Sequence, residues 1–158
     1  MAAEVTAAYT LPDLTEPIRA LLLGDDEFTD LTSGRLATRA PADVTTPYAV
    51  ISCSANPLSA SSRSVGWRGG VVLHGCASRP VGSALPETLA WRICAAAARV
   101  LDRSGQQTWT ETEPGGRTLT YTPRLTDGPL AMPPDTTRGE DAVIYWRLIR
   151  ATMPIHLR

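Results

Sequence analysis

Apolar residues recur at helical spacing in two parts of the chain. Residues 17–23 place their isoleucine and leucines on one stripe before Gly24, which predicts a short amphipathic helix that ends there. Asp25 and Asp26 then offer carboxylates that can cap a second short helical turn. The longer pattern covers residues 84–103, about 30 Å of helix, which is enough to cross a four-stranded sheet.

Alternating patterns predict the strands. Residues 47–53 are rich in β-forming side chains after a proline, and residues 65–77 alternate over a longer stretch. The alternation divides the second strand into two faces, with Trp67, Val71, Leu73 and Ala77 on one and Arg68, Val72, His74 and Cys76 on the other.

The last third of the chain predicts further strands. Residues 107–113 and 117–125 flank a Pro-Gly-Gly turn, which is typical of a hairpin. A final strand is expected over residues 142–152. Its two sides carry Ile144, Trp146 and Leu148, and Tyr145, Arg147 and Ile149.

Two polar stretches between these elements are interpreted as loops. Ser54–Ser64 is rich in serine, and Thr126–Asp141 contains three prolines and a glycine after its first residues. Ser54–Ser64 is expected to be mobile because it is polar. Thr126–Asp141 exceeds the length of about 12–15 residues above which loops are usually functional or disordered. Both loops are candidates for contact with a partner.

These elements predict one α+β domain. Strands adjacent in sequence are expected to pair antiparallel, with the long helix across one face. We expect a two-layer sandwich with a mainly antiparallel sheet of four to six strands. The helix over about 84–103 and the short N-terminal helix pack on that sheet. Residues 1–14 are expected to form a flexible arm, and residues 15–158 a single domain, since 158 residues suit one domain.

Charge and hydropathy exclude several classes of protein. The net charge is −1, and all fifteen basic residues are arginine. A dedicated nucleic-acid-binding domain usually carries a basic excess or stripe, which is absent here. Arginine without lysine is typical of a GC-rich genome and also suits a surface built for interfaces. No apolar run approaches the ~20 residues that a membrane helix needs, so no membrane contact is expected.

Candidate chemistry in the sequence is weak. Cys53, Cys76 and Cys94 are widely spaced and match neither a disulfide framework nor a zinc motif, so reduced thiols are expected. His74 and Cys76 share one strand face, but a metal site needs three or four ligands, and parallel side chains do not converge as a nucleophile and base must. We expect no catalytic, cofactor-binding or metal-binding residues. A small enzyme that uses Cys76 and His74 is the alternative.

A structural or binding protein is the better interpretation of such a chain. Tryptophan and arginine are suitable anchors for protein interfaces, although most tryptophans lie in cores. The candidate interface comprises Trp67, Arg68, Trp109, Arg117, Trp146 and Arg147, with the loops Ser54 to Ser64 and Thr126 to Asp141.

The order of these elements resembles the tail terminator (tail completion) proteins of long-tailed bacteriophages. The similarity covers residues 15–158 and follows the order of elements more than residue identity. It consists of an opening helix, a short second helix, a glycine followed by a basic and an apolar residue, a proline-aromatic start to an apolar strand, a second strand, and an alanine-rich helix. The corresponding residues are Pro17–Leu23, Asp26–Leu31, Gly34-Arg35-Leu36, Thr46–Ile51, Gly70–Cys76 and Leu85–Leu101.

The resemblance implies a virion protein without enzymatic activity or cofactor. Such a subunit forms a hexameric ring at the head-proximal end of the tail, in the neck of the virion, after assembly in the host cytoplasm. The ring binds the tail tube protein, stops tube growth and presents a surface to the head–tail connector or stopper. DNA passes through it without sequence-specific binding, which a near-neutral chain suits because a strongly basic lumen would retain phosphate. The alternative within the neck is a stopper or head-completion protein, a class that tends toward barrel or all-helical folds.

Overall fold

The structure, a computed structural model, describes residues 13–57, 66–112 and 116–157. In these residues the chain forms three α-helices, α1 (Thr15–Leu23), α2 (Asp26–Thr32) and α3 (Pro86–Arg103). It also forms seven strands: β1 (Leu36–Ala37), β2 (Tyr48–Pro57), β3 (Gly66–Ala77), β4 (Gln107–Thr110), β5 (Thr118–Tyr121), β6 (Arg124–Ala131) and β7 (Tyr145–Leu157). A short 3₁₀ helix, Glu140–Ala142, precedes β7.

All seven strands belong to one mixed sheet. Six of them follow the order β1-β2-β3-β7-β5-β4, and the seventh, β6, pairs with β7. The two longest strands, β3 and β7, pair antiparallel over twelve residues at its centre. The other edge of β7 is shared, because β5 pairs with its end and β6 with its first half. The predicted α+β class is confirmed, with a sheet larger than the expected four to six strands.

One pairing differs from the expectation that neighbouring strands are antiparallel. β2 and β3 are antiparallel, as are β4 and β5, but β1 runs parallel to β2. Residues 38–47 carry the chain back to the end of the sheet where β1 began, so the next strand starts in the same direction. β1 contains only two residues, and the sequence does not identify the strand with which they pair.

The three helices cover one face of the sheet. Helix α3 lies across β3, β7 and β6, and α1 and α2 pack beside it. The core between the layers is apolar and fully buried at its centre. Its largest members include Ile18, Phe28, Ile51, Leu73, Ile93, Leu101, Ile149 and Met153. The predicted division of β3 into two faces is confirmed, since Trp67, Val71, Leu73 and Ala77 point into this core.

The predicted start of the second helix is confirmed, whereas the predicted start of the long helix is shifted. Asp25 is the N-cap of α2, and its carboxylate accepts a hydrogen bond from the Phe28 amide at 2.9 Å, as predicted. The predicted start of the long helix at residue 84 is two residues early, since α3 begins at Pro86 after Leu85. Val81 and Ala84 pair in a narrow turn before it, which keeps those residues outside the helix.

Parts of both predicted loops belong to strands. Ser54–Pro57 belongs to β2, because its backbone pairs with residues 67–70 of β3, and residues 58–64 lie outside the described residues. The first part of Thr126–Asp141 belongs to β6. The pairing of β6 with β7 shifts its register twice between Leu125 and Leu130, around Gly128 and Pro129. The remaining connection covers residues 132–144 and contains the 3₁₀ helix.

The last strand and the predicted arm are also corrected. β7 runs from Tyr145 to Leu157 and not from 142 to 152, because the 3₁₀ helix delays its start and β3 and β5 pair with its end. Of the predicted arm 1–14, residues 1–12 lie outside the described residues, while Leu14 is buried in the core at 1% exposure. In the part of the chain described here, no helix is both long and apolar enough to span a bilayer.

Candidate functional site

The second face of the sheet carries no helix and is called here the open face. Side chains of β2, β3 and β7 form cross-strand rows on it, because directly paired residues point to the same side. The rows change in character along the strands. At one end they are mainly apolar, Tyr48–Cys76–Trp146 and Val50–His74–Leu148, and farther along they become more polar, Ser52–Val72–Arg150, Ser54–Gly70–Thr152 and Asn56–Arg68–Pro154.

Two connecting segments partly cover the apolar end of the open face. Residues 38–47 lie on one side and residues 132–144 on the other, and a small second core of Val44, Tyr48, Cys76 and Ile144 forms beneath them. Between them remains a cleft of about 320 Å³. It is lined by Ala40, Tyr48, Val50, His74, Cys76, Asp135, Arg138, Ile144 and Trp146.

Trp146 forms one side of the cleft and is held in place from two directions. Its indole N–H donates a hydrogen bond to the Pro133 carbonyl at 2.8 Å. Its ring meets the His74 ring edge-on, with centroids 5.0 Å apart and planes at 75°. Edge-to-face pairs of this kind are a favoured aromatic arrangement. The indole is therefore a fixed wall of the cleft.

Segment 38–47 is attached to the sheet by Arg35. Its guanidinium donates hydrogen bonds to the carbonyl oxygens of Asp43 and Thr46, and its central carbon lies 5.8 Å from the centre of the Tyr48 ring. The Ser78 hydroxyl adds a hydrogen bond to the Val44 carbonyl at 2.6 Å. This wall is consequently tied to β2 and to the end of β3.

Segment 132–144 is held by hydrogen bonds within the segment and by one hydrogen bond to segment 38–47. Asp135 and Ile144 exchange two backbone hydrogen bonds of 2.9 Å. The Asp135 carboxylate accepts hydrogen bonds from the amide and hydroxyl of Thr137, and these hold the pKa of that carboxyl below its usual range. Arg138 donates to the Ala42 carbonyl at 3.2 Å, which joins the two segments across the cleft.

Three titratable groups of the cleft, those of Tyr48, His74 and Cys76, are neutral at pH 7. Burial raises the pKa of the Cys76 thiol to about 12, and a hydrogen bond with Tyr48 offsets only part of this shift. Burial also raises the pKa of Tyr48 and lowers that of His74. Because the thiolate is the reactive form of cysteine, a thiol with this pKa is a poor nucleophile. In residues 13–57, 66–112 and 116–157 no three His, Cys, Asp or Glu side chains cluster as metal ligands.

This combination is suited to binding. The floor is apolar and neutral, while one carboxylate, Asp135, and one guanidinium, Arg138, line the cleft. Ligand sites typically pair an apolar lining with a few placed polar groups. The cleft can accept an apolar or aromatic group and orient it by charge at the entrance.

The predicted interface residues are dispersed over the molecule. Trp146 lines the cleft, and Arg68 is exposed on the polar end of the open face. Trp67 is 3% exposed in the core, so its side chain is not presented to a partner. Its indole N–H has no hydrogen-bond partner among the residues described. Arg147 pairs with Gly75 on the helix-covered side of β7 and is partly buried.

The two remaining predicted interface residues lie in the β4–β5 hairpin. Trp109 packs against the edge of the main core. Arg117 forms a two-pronged ion pair with Glu111, with nitrogen–oxygen distances of 2.9 and 3.0 Å, and this contact lowers the pKa of the glutamate. Of the predicted loops, Thr126–Asp141 contributes Pro133, Asp135 and Arg138 to the cleft region.

Three residues that line the cleft were not among the predicted site residues: Tyr48, Val50 and Ile144. A signal was nevertheless present, because a strand with one solvated face alternates apolar and polar residues. β2 departs from this rule at Tyr48 and Val50, and β3 does so at Cys76. Apolar residues on both faces indicate that something covers the second face at that end.

No known protein-family model matches this chain, and no curated protein matches it significantly.

Proposed function

We propose that this chain is a structural subunit of a long-tailed bacteriophage. It forms a ring, a hexamer by resemblance, at the head-proximal end of the tail tube. The ring stops polymerisation of the tube protein and offers a joining surface to the head–tail connector or stopper. In this role the protein acts by shape and contact and performs no reaction.

The order of elements supports this proposal. An opening helix, a short second helix, an apolar strand, a longer strand, an alanine-rich helix and a closing set of strands are what the resemblance implies. The described fold has α1, α2, β2, β3 and α3 in that order, followed by β4–β7.

The observation that carries the proposal is that the two faces of the sheet are unlike each other. One face is covered by helices, and the other is open, with an apolar cleft at one end and polar rows at the other. A ring is built from heterologous contacts, in which one patch of a subunit meets a different patch of the next. A cap likewise needs one surface for the tube and a different one on its far side. A subunit with two unlike faces meets both requirements.

Charge agrees with a channel that lets DNA pass. The net charge of −1 gives no general attraction for phosphate. Several arginines contact groups of the same chain: Arg35 holds segment 38–47, Arg99 binds Asp25 and Glu27, and Arg150 lies 3.5 Å from Asp127. We therefore expect no dense band of free arginine along the lumen.

The fold favours a terminator over the other neck components. A stopper or head-completion protein is expected to have a barrel or an all-helical fold. This chain instead has an α+β sandwich with an eighteen-residue helix across the sheet.

Imaging of labelled particles tests the proposal. Purified tails that carry a gold-binding tag on this chain should show label only at the end that joins the head. Virus lacking the chain should produce tails of abnormal length that do not join heads, because nothing caps the tube. Label along the whole tail, or normal-length tails joined to heads without the chain, would contradict the proposal.

A further inference from the structure

Exposed apolar side chains are concentrated at the start of α3. Among the described residues, the large hydrophobic side chains with substantial exposure are Val81 at 52%, Leu85 at 60%, Trp91 at 50% and Leu130 at 40%. Three of the four lie between positions 81 and 91. Tryptophan is the residue most enriched at the energetic centres of protein interfaces. A half-exposed Trp91 on a helix that is otherwise well packed therefore indicates a contact surface.

Trp91 belongs to the part of α3 that packs behind the cleft, on the helix-covered face of the sheet. Its neighbour Ala90 approaches Gly75 so closely that a Cβ on Gly75 would lie 2.7 Å from the Ala90 carbonyl oxygen. The residues on either side of Gly75, His74 and Cys76, both line the cleft on the open face. The part of α3 that carries Trp91 and the part of β3 that lines the cleft thus lie at the same level, on opposite faces of the sheet.

The cleft has the size and character for one aromatic side chain. Its volume of about 320 Å³ is at the lower end of the range for ligand pockets, roughly 300–1,000 Å³. Its floor is formed by Tyr48, Val50 and Ile144, with His74 and Trp146 at the side. An indole that entered it would meet aromatic edges and apolar surface, the surroundings that an aromatic ring prefers.

Charges beside Trp91 complement those in the cleft. Glu87 lies one helical turn before Trp91 on the same side of α3, and Arg92 follows it. Neither has an ion-pair partner in the described part of the chain. The cleft offers one group of each sign, Arg138 and Asp135. Opposite charges on the two surfaces favour one orientation of docking.

We propose that Trp91 of one copy of this chain docks in the open-face cleft of the next copy. The contact is head-to-tail, so each subunit uses its helix side once and its open face once. Because the contact joins two different patches it is heterologous, and it builds the ring if each docked copy is rotated relative to the one before it by the angle that closes the ring. This inference deepens the proposed function, since it rests on the ring and names the contact that builds it.

The test uses two variants that each destroy one half of the contact. Trp91→Arg removes the indole, and Val50→Arg places a charge in the cleft. Ala40→Arg, at an exposed position on the cleft rim, is the second cleft variant in case Val50→Arg disturbs β2. Thr108→Arg, exposed on β4, is the matched control with the same added charge. Thermal unfolding confirms that each variant is folded, and sedimentation velocity measures association of the full chain up to about 1 mM.

The wild-type chain and Thr108→Arg should associate to the same extent. Trp91→Arg and the cleft variants should each weaken self-association at least about tenfold, as expected for the centre of an interface. Mixed together, Trp91→Arg and a cleft variant should form a dimer and nothing larger, since the mixture contains one intact pair of surfaces. Wild-type chain that stays monomeric, a variant that associates like the wild type, or a mixture without a dimer would each overturn the inference.

The self-association experiment and the imaging of labelled tails can fail independently of each other. A chain that fails this test but is found only at the head-proximal end of tails would leave the capping role standing and reject this contact. A chain that passes this test but is absent from tails would retain the contact and reject the capping role.

Discussion

Gly75 of β3 packs directly against the Ala90 backbone of α3, and this contact leaves no room for a side chain at position 75. A Cβ at Gly75 would lie 2.7 Å from the Ala90 carbonyl oxygen and 3.0 Å from two carbons of Ile93. Both the strand and the helix backbone are held by their own hydrogen bonds, so neither can move aside cheaply. This pair sets the depth at which α3 packs and places the part of α3 that carries Trp91 behind the cleft.

Gly75→Ala should therefore destabilise the protein by about 2 kcal/mol, the usual cost of overpacking a core. The matched control is Gly70→Ala on the same strand but on the open face. There the nearest atom is the Ser54 hydroxyl oxygen at 2.8 Å, which can rotate away. Urea unfolding of both variants measures the difference. Equal losses of stability would show that the approach of α3 does not depend on Gly75.

The Asp25 carboxylate joins α2 to α3. It accepts the Phe28 amide at 2.9 Å as an N-cap and receives the Arg99 guanidinium at 3.0 Å. Asp25→Ala should cost about 1–2 kcal/mol, mostly from the lost cap. Glu27→Ala removes the other, more exposed partner of Arg99 and should cost less than about 0.5 kcal/mol. Chemical denaturation compares them, and a larger loss for Glu27→Ala would contradict this assignment.

His74 should make the stability depend on pH in a defined window. Burial lowers its pKa in the folded state, whereas the unfolded chain titrates near 6.5. As pH falls through 6.5 the unfolded state binds the proton first, so stability is constant above that value and is lost below it. Melting temperatures between pH 7.5 and 5 should fall in the wild type and fall less in His74→Gln.

The same substitution at exposed His156 is the control for removal of a histidine. The lowered pKa values of Asp43, Glu111 and Asp135 add stability that is lost only at more acidic pH, below about 4.5, so the two windows are separate. An unchanged slope in His74→Gln between pH 7 and 5 would refute the role of His74.

The three thiols should react with iodoacetamide at different rates at pH 7.5. Burial raises the pKa of Cys53 to about 11 and those of Cys76 and Cys94 to about 12, and Cys53 is the more accessible. Cys53 should therefore be alkylated first, and the other two only as fast as the fold opens. Peptide mass spectrometry measures the order, and urea should abolish it. Early modification of Cys76 would mean that the cleft opens readily.

Local patterns predicted much of the fold. The end of α3 at residue 103, the two faces of β3, the cap at Asp25 and the antiparallel pairing of β4 with β5 all follow from patterns local to each segment. Such features depend on backbone geometry that the chain itself imposes. The terminator function, suggested by the order of elements, stays a prediction.

The candidate site was less predictable because its parts are distant in sequence. Trp146 was among the predicted interface residues, but its partner His74 and the carbonyl of Pro133 come from other elements. Trp67 was predicted as an interface residue and lies in the core, whereas Trp91 is exposed. Which tryptophan is buried depends on which elements pack together, and this cannot be inferred from the residue type.

The sequence by itself determined which segments become helix or strand and which side of each strand is apolar, because these properties depend on spacing along a regular backbone. Only the tertiary structure decided that β7 lies between β3 on one side and β5 and β6 on the other, that β1 runs parallel to β2, and that segments 38–47 and 132–144 meet over the open face. Those arrangements join residues 13 to 96 positions apart, so they depend on packing and hydrogen bonds of the whole sheet. The cleft exists only where the two segments meet.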